Sequence, residues 1–141
     1  MSRAPRFDDV AVGQRLPPLN VPLTRTLIVA TAIASRDYQD VHHDPELARI
    51  RGAPDIFMNM LSTNGFVGRY VTDWAGPDAR LTRVAIRLGA PNYPGDTMEL
   101  TGEVVALDRD SGIVDVRVRG ANSLGDHVSG TVRVWLPGAG S

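Results

Sequence analysis

Residues 56–74 read IFMNMLSTNGFVGRYVTDW, the longest stretch of the chain in which apolar side chains keep helical spacing. Phe57, Met60, Leu61, Val67, Tyr70, Val71 and Trp74 carry that spacing, and Met58 and Phe66 widen the apolar face beyond what a surface helix needs. The segment therefore predicts a helix about 28 Å long at 1.5 Å per residue, wrapped by something else. Gly65 and Gly68 inside it each cost about 1 kcal/mol relative to alanine, which predicts close approach of a strand, a partner or a ligand as compensation.

Downstream the period changes to two. Val84, Ile86 and Leu88 alternate with Arg83, Ala85 and Arg87, and alternation resumes over 98–106, 114–119 and 128–136. Turn-forming sequences at 91–96, 108–112 and 122–126 separate these runs, so four strands in an antiparallel meander are expected. Upstream, residues 1–22 are rich in Pro, Gly and Asp, carry only short apolar patches at 7–12 and 16–21, and predict a loose arm and one edge strand. Residues 27–35, LIVATAIAS, are apolar almost all round, with Thr24 or Thr26 as cap, and read as a buried helix ending near Arg36. Asp44 as N-cap, Pro45 at the first helical position, Glu46 in the first turn and Gly52 as closing residue predict a helix of about two turns. The last five residues look frayed. Helices first and strands second make an α+β domain, and a long apolar helix wrapped by a curved sheet is the hotdog arrangement, here as one domain over 1–141. The sheet edges such a domain exposes favour association with others of its kind.

Composition narrows the function classes. With 22% charged residues, 43% apolar residues and a net charge of −1, the chain lacks the basic surface on which nucleic-acid affinity normally rests. The absence of cysteine excludes disulfides, thiol nucleophiles and thiolate metal sites. The N-terminal MSRAPRFDDVAVGQ has no apolar signal core, and no apolar run approaches the ~20 residues of a membrane span, so a cytoplasmic protein is expected.

Catalytic-type side chains are densest at residues 37–44, DYQDVHHD. Asp37 and His42 are five apart across the predicted helix end, where a bend of the backbone brings both onto one pocket wall. A carboxylate and an imidazole facing one water can polarise it and move protons. On spacing alone, however, a capping Asp37 and a hydrogen-bonded core His42 are the favoured reading. Asp40 and His43 are read as solvent-facing and Asp44 as a cap. A metal site from His42, His43 and Asp44 is disfavoured, because adjacent residues rarely point at one ion and no second cluster completes the sphere. His127 has no acidic companion other than Asp126 and reads as structural, and no nucleophile elbow supports a serine-histidine triad. Arg80, Arg83 and Arg87 are candidates to hold the phosphates of a long ligand, although alternating charge on a strand is more often a solvated face.

SRDYQDVHHD, residues 35–44, resembles the D-x-N-P-I-H motif of the MaoC-like (R)-specific enoyl-CoA hydratases, which supplies a catalytic aspartate and histidine; the matching positions are Asp37 and His42. More narrowly, DYQDVHHD, DIFMNMLSTNGFVGRYVTDWAGP and NSLGDHVSGTV look like the small MaoC-like subunits of actinobacterial hydratases that act on steroid side-chain enoyl-CoA thioesters in cholesterol and steroid catabolism. The resemblance implies a hotdog fold and syn addition of water to an α,β-unsaturated acyl-CoA. It implies no separate cofactor, CoA being part of the substrate, and pairing with a larger MaoC-like subunit often carrying an OB-type domain. Gln39 and Asp40 depart from the asparagine and proline of the general motif. Asn59 stands where the family has a glycine whose backbone N–H helps form the oxyanion hole; it keeps the N–H but brings a side chain that takes space near the acyl group. Two rivals stay open at this point: a thioesterase on the same fold, and a non-catalytic half of a complex whose partner does the chemistry.

Overall fold

The structure, a computed structural model, describes residues 3–139; the outermost residues of the expected loose arm and frayed end lie outside that range. Five strands and three helices follow one another as β1 (Arg15–Pro22), α1 (Arg25–Ala34), α2 (Pro45–Ile50), α3 (Met60–Ala75), β2 (Arg80–Leu88), β3 (Thr97–Asp108), β4 (Ile113–Asn122) and β5 (Gly125–Trp135), with 3-10 turns at Phe7–Asp9 and Asp40–His42. All strand pairs are antiparallel, in the order β1-β3-β4-β5-β2. The sheet curves around α3, whose Val67, Tyr70, Val71 and Ala75 meet Met98, Leu100, Val104, Val116, Val132 and Val134 in one buried core. Each such aliphatic side chain contributes on the order of 1.5–3 kcal/mol by leaving water. This is the hotdog arrangement. Among the described residues no helix is long and apolar enough to cross a membrane.

Register irregularities between Leu16 and Leu19, Leu81 and Arg83, Val104 and Ala106, and Gly120 and Ala121 mark the bulges that give the sheet its bend. Gly130 permits the close pairing of β5 with β2: a Cβ there would lie 2.1 Å from the Ala85 carbonyl oxygen, a backbone atom that cannot yield.

Four expectations need correction. The strands do not form a four-stranded meander, because β2 pairs with β5 and only β3-β4-β5 run consecutively. Pro91 and Pro94 lack the N–H that a tight ladder would need, and residues 89–96 instead cross the sheet as a strap. Gly89 and Ala90 donate to the carbonyls of His127 and Asp126 at one end, and Gly95 donates to Leu23 at the other. Secondly, α1 is buried on one face alone: Ile28 and Ala32 are inside while Ile33 is 56% exposed, since nothing in the protomer covers its outer side. Thirdly, α3 begins at Met60, not Ile56, and is about 24 Å long. Residues 56–58 are held extended by Phe57 N–H to Val41 and Met58 N–H to Asn92, and Asn59 caps the helix by accepting from Ser62 N–H at 3.0 Å. Gly68 does approach a strand, with Leu81 3.4 Å from where its Cβ would be, but Gly65 has open space and gains no such contact within the protomer. Lastly, the arm is not loose, because Phe7 and Val10 are buried and Phe7 N–H donates to the Pro137 carbonyl at 2.8 Å.

Candidate active site

Asp37 is aimed by the end of α1. Ser35 is the C-cap; the Arg36 N–H donates to Ile33 and the Asp37 N–H to Ala32, the paired bonds of a Schellman turn. Such a turn needs a left-handed residue, usually glycine, and here Arg36 takes that place at φ 56°. The reversal carries Asp37 out of the helix direction and back toward the start of α3. Three residues on, the 3-10 turn Asp40–His42 turns His42 inward, where it is 6% exposed.

His42 Nδ1 lies 2.7 Å from the Phe57 carbonyl oxygen, so Nδ1 carries a proton and donates it. The imidazole stands edge-on to the Phe57 ring, with centroids 5.0 Å apart. Nε2 lies 3.3 Å from Asp37 Oδ2. A carbonyl and a carboxylate only accept, so the ring satisfies both neighbours when both nitrogens are protonated, an imidazolium paired with a carboxylate.

The carboxylate is held from the other side by Asn59. Its Nδ2 donates to Asp37 Oδ2 at 3.1 Å and to Ser35 Oγ at 2.9 Å, while its Oδ1 accepts from the N–H and the hydroxyl of Ser62. Carboxylate on one side and backbone N–H on the other leave one possible orientation of the amide. The Asn59 side-chain amide, with the Gln39 N–H and His42 adding to it against partial burial, holds the Asp37 carboxyl below the usual carboxylate range. Side-chain exposures of 23% for Asp37 and 8% for His42 leave the carboxylate accessible and the ring largely enclosed. The sequence expectation that the Asn59 side chain takes space near the acyl group is corrected: the side chain is 2% exposed and fully engaged with Ser35, Asp37 and Ser62. Its backbone N–H, at the N-terminus of α3, has no acceptor among the described residues.

The remaining candidates fall elsewhere. Asp40 is bound by Arg51 at 2.7 and 2.9 Å, tying the 3-10 turn to α2; His43 is exposed; Asp44 caps α2 through the N–H groups of Glu46 and Leu47. His127 is structural: buried, it bridges Thr63 Oγ1 at 2.8 Å and the Ala90 carbonyl at 2.6 Å, and burial pushes its pKa down. Among the described residues no group of three or more His, Asp or Glu side chains is placed to hold a metal ion. Arg80 lies over the Trp135 ring, whereas Arg83 and Arg87 line a groove of about 580 Å³ on the outer face of β2 and β5, with none of Asp37, His42 or Asn59 in its wall. Ser35, Ser62 and the Phe57 carbonyl are the site members that sequence reading missed. Ser62 had a signal, since Asn59 three residues before it matches a helix N-cap; the others had none.

A family model described as MaoC like domain matches residues 9–123. The chain is 50% identical over 125 residues to the 3-oxo-4,17-pregnadiene-20-carboxyl-CoA hydratase beta subunit of Mycobacterium tuberculosis, covering 89% of this chain and 95% of that protein. Among solved structures, it superposes on a chain of the ChsH1-ChsH2 complex from Mycobacterium tuberculosis with a TM-score of 0.86 and 48% identity, covering 89% of this chain and 98% of the other. The (R)-hydratase from A. caviae involved in PHA biosynthesis aligns with a TM-score of 0.80 at 25% identity over 91% and 98% of the two chains. Matched across both the Asp37–His42 pair and the helix that backs it, the chain belongs to the MaoC-like domain family.

Proposed function

We propose that this chain, working as one hotdog domain, is the small subunit of a hydratase that adds water to an α,β-unsaturated steroid side-chain acyl-CoA. The observation that carries the proposal is the Asp37–His42 pair, 3.3 Å apart with the histidine anchored through Nδ1 on Phe57. The name of the Mycobacterium tuberculosis relative supports the steroid thioester as substrate class.

In the proposed reaction, a water held by the ionised Asp37 loses a proton to it as its oxygen bonds to the β-carbon. His42 delivers its Nε2 proton to the α-carbon on the same face. Negative charge that gathers on the thioester oxygen is met by backbone donors including the Asn59 N–H, at a helix terminus whose dipole favours an anion. The protonated Asp37 then returns its proton to the neutral Nε2 beside it, which closes the cycle. Hydration leaves the oxidation level of the whole unchanged, so it needs no cofactor beyond the CoA of the substrate, and a CoA-linked substrate supports the reading of a cytoplasmic enzyme.

Ile33, Tyr38, Met60 and Leu61, all at least half exposed, flank Asp37 and Asn59 along the chain. They supply an apolar frame that a second subunit would close into an acyl pocket, which supports pairing with a partner subunit; in this proposal the partner is a larger MaoC-like chain carrying an OB-type domain. Co-purification with the neighbouring gene product, followed by a panel of enoyl-CoA thioesters, tests this: hydrated acyl-CoA is the expected product. Release of free CoA instead would make the complex a thioesterase. Full activity of a complex carrying Asp37→Asn would leave this chain a structural half.

A further inference from the structure

We infer that the Asn59 side chain is a positioning residue for this hydration, fixing the Asp37 carboxylate against His42 and making the start of α3 part of the proton-handling machinery. The inference rests on the reading of Asp37 and His42 given above. Asn59 joins three elements through one amide: Ser35 at the end of α1, Asp37 after it, and Ser62 in the first turn of α3. The Asp37 oxygen it binds, Oδ2, is the one that faces His42 Nε2. Ser35 Oγ, the second acceptor of the amide, itself donates to the Thr31 carbonyl at 2.8 Å, so the network is anchored in the body of α1. Every polar atom of the amide is engaged, and the group is 2% exposed. An amide locked on four sides does not yield when water or substrate enters.

The consequence is double. The amide fixes where the carboxylate stands, and a misplacement of about 1 Å can cost about 100-fold in rate. It also favours the charged form of Asp37, the form that accepts a proton from water. His42 is the titratable group that faces Asp37; α1 and α3 present Ser35, Asn59 and Ser62, which do not titrate in this range.

Two variants separate positioning from plain helix capping, both assayed in the assembled complex on an enoyl-CoA it hydrates. Asn59→Asp keeps the acceptor for Ser62, so the cap survives, but it replaces the donor to Asp37 with a second carboxylate. Asn59→Ser keeps the cap and removes the donor. Both are expected to fold, to lose about 100-fold in kcat with little change in KM, and to move the acidic limb of kcat/KM to higher pH. A cap without a positioning role predicts wild-type kcat in Asn59→Asp; that result, or a fall in kcat with an unmoved acidic limb, overturns the inference. Asp37→Asn is the control. If it retains hydration, the reading of the site falls and the inference with it; if it is inactive while Asn59→Asp is normal, the inference alone falls.

Discussion

Asp37→Asn changes one atom at the centre of the site, and its consequences for stability and for rate separate cleanly. The carboxylate accepts from Asn59 Nδ2 at Oδ2 and from the Gln39 N–H at Oδ1, with His42 Nε2 also 3.3 Å from Oδ2. The introduced amide has one oxygen. Turned toward Asn59, it sets its NH₂ against the Gln39 N–H; turned toward Gln39, it sets its NH₂ against the Asn59 amide and the His42 ring. At least one donor is stranded either way, at about 1–2 kcal/mol. At this chain length that is a fall in Tm of about 3–6 °C, small beside a typical stability of about 5–15 kcal/mol, so the variant stays folded. The rate, by contrast, loses its proton acceptor, worth about 10²- to 10⁴-fold, or about 3–5 kcal/mol of barrier. The assay is loss of enoyl-thioester absorbance by the assembled complex, with product identified by mass spectrometry and Tm measured on the same sample. A folded variant within tenfold of the wild-type rate would refute the catalytic assignment, and one that fails to fold would refute the hydrogen-bond accounting.

Arg36 holds a left-handed conformation that costs a non-glycine residue about 1 kcal/mol. Arg36→Gly is therefore expected to raise Tm by about 3 °C, read by calorimetry, and an unchanged or lower Tm would count against the strain. Tyr70 Oη is buried with no hydrogen-bond partner among the described residues, and burial pushes the phenol up to about 12; Tyr70→Phe should leave stability unchanged or raise it by up to about 1 kcal/mol, measured by urea unfolding. Asp37, Asp40, Asp55, Asp96 and Asp108 all have carboxyls held below their ordinary value, each chiefly by a side-chain hydrogen bond. Their folded values lie below the unfolded ones, so the stability they add is present above the unfolded carboxylate range and is lost as pH falls through the folded values. A Tm that falls steadily as pH is lowered below about 4 is expected, and a Tm flat across that window would contradict it.

Much of the fold is legible because its signals are local. Alternation over 98–106 and 114–119 lies inside β3 and β4, that over 128–136 runs one residue past the end of β5, and the Asp44-Pro45 start and Gly52 stop bracket α2 within a residue or two. Pairing order is not local. The alternation of β2 says which side chains share a face but nothing of which strand lies beside it, and the strap 89–96 looks in sequence like any Pro-Gly turn. What distinguishes it is the burial of Asn92, bonded to Asn122 at 2.8 Å through its side chain and to Met58 N–H through its carbonyl, contacts across 30 and 34 positions of chain. Exposure on α1 was illegible for a different reason: an all-round apolar helix looks buried whether the cover comes from its own chain or from another.

The start of α3 joins these two kinds of information. Helical spacing from Ile56 onward made residues 56–59 look like the first turn, because Phe57 and Met58 are apolar and face inward in either conformation. What ends the extended run is the Asn59 side chain, which takes the Ser62 N–H that a continuing helix would have given to Met58. The same act turns the amide nitrogen outward to Asp37 and frees the Phe57 carbonyl, which a helix would have bonded to Leu61, to hold His42 instead. A helix beginning at Ile56 would thus leave both members of the pair without their second partner. The boundary of α3 and the assembly of the site are one structural event, and that is why Asp37 and His42, ambiguous by spacing, become a defined pair once Asn59 is read as a cap.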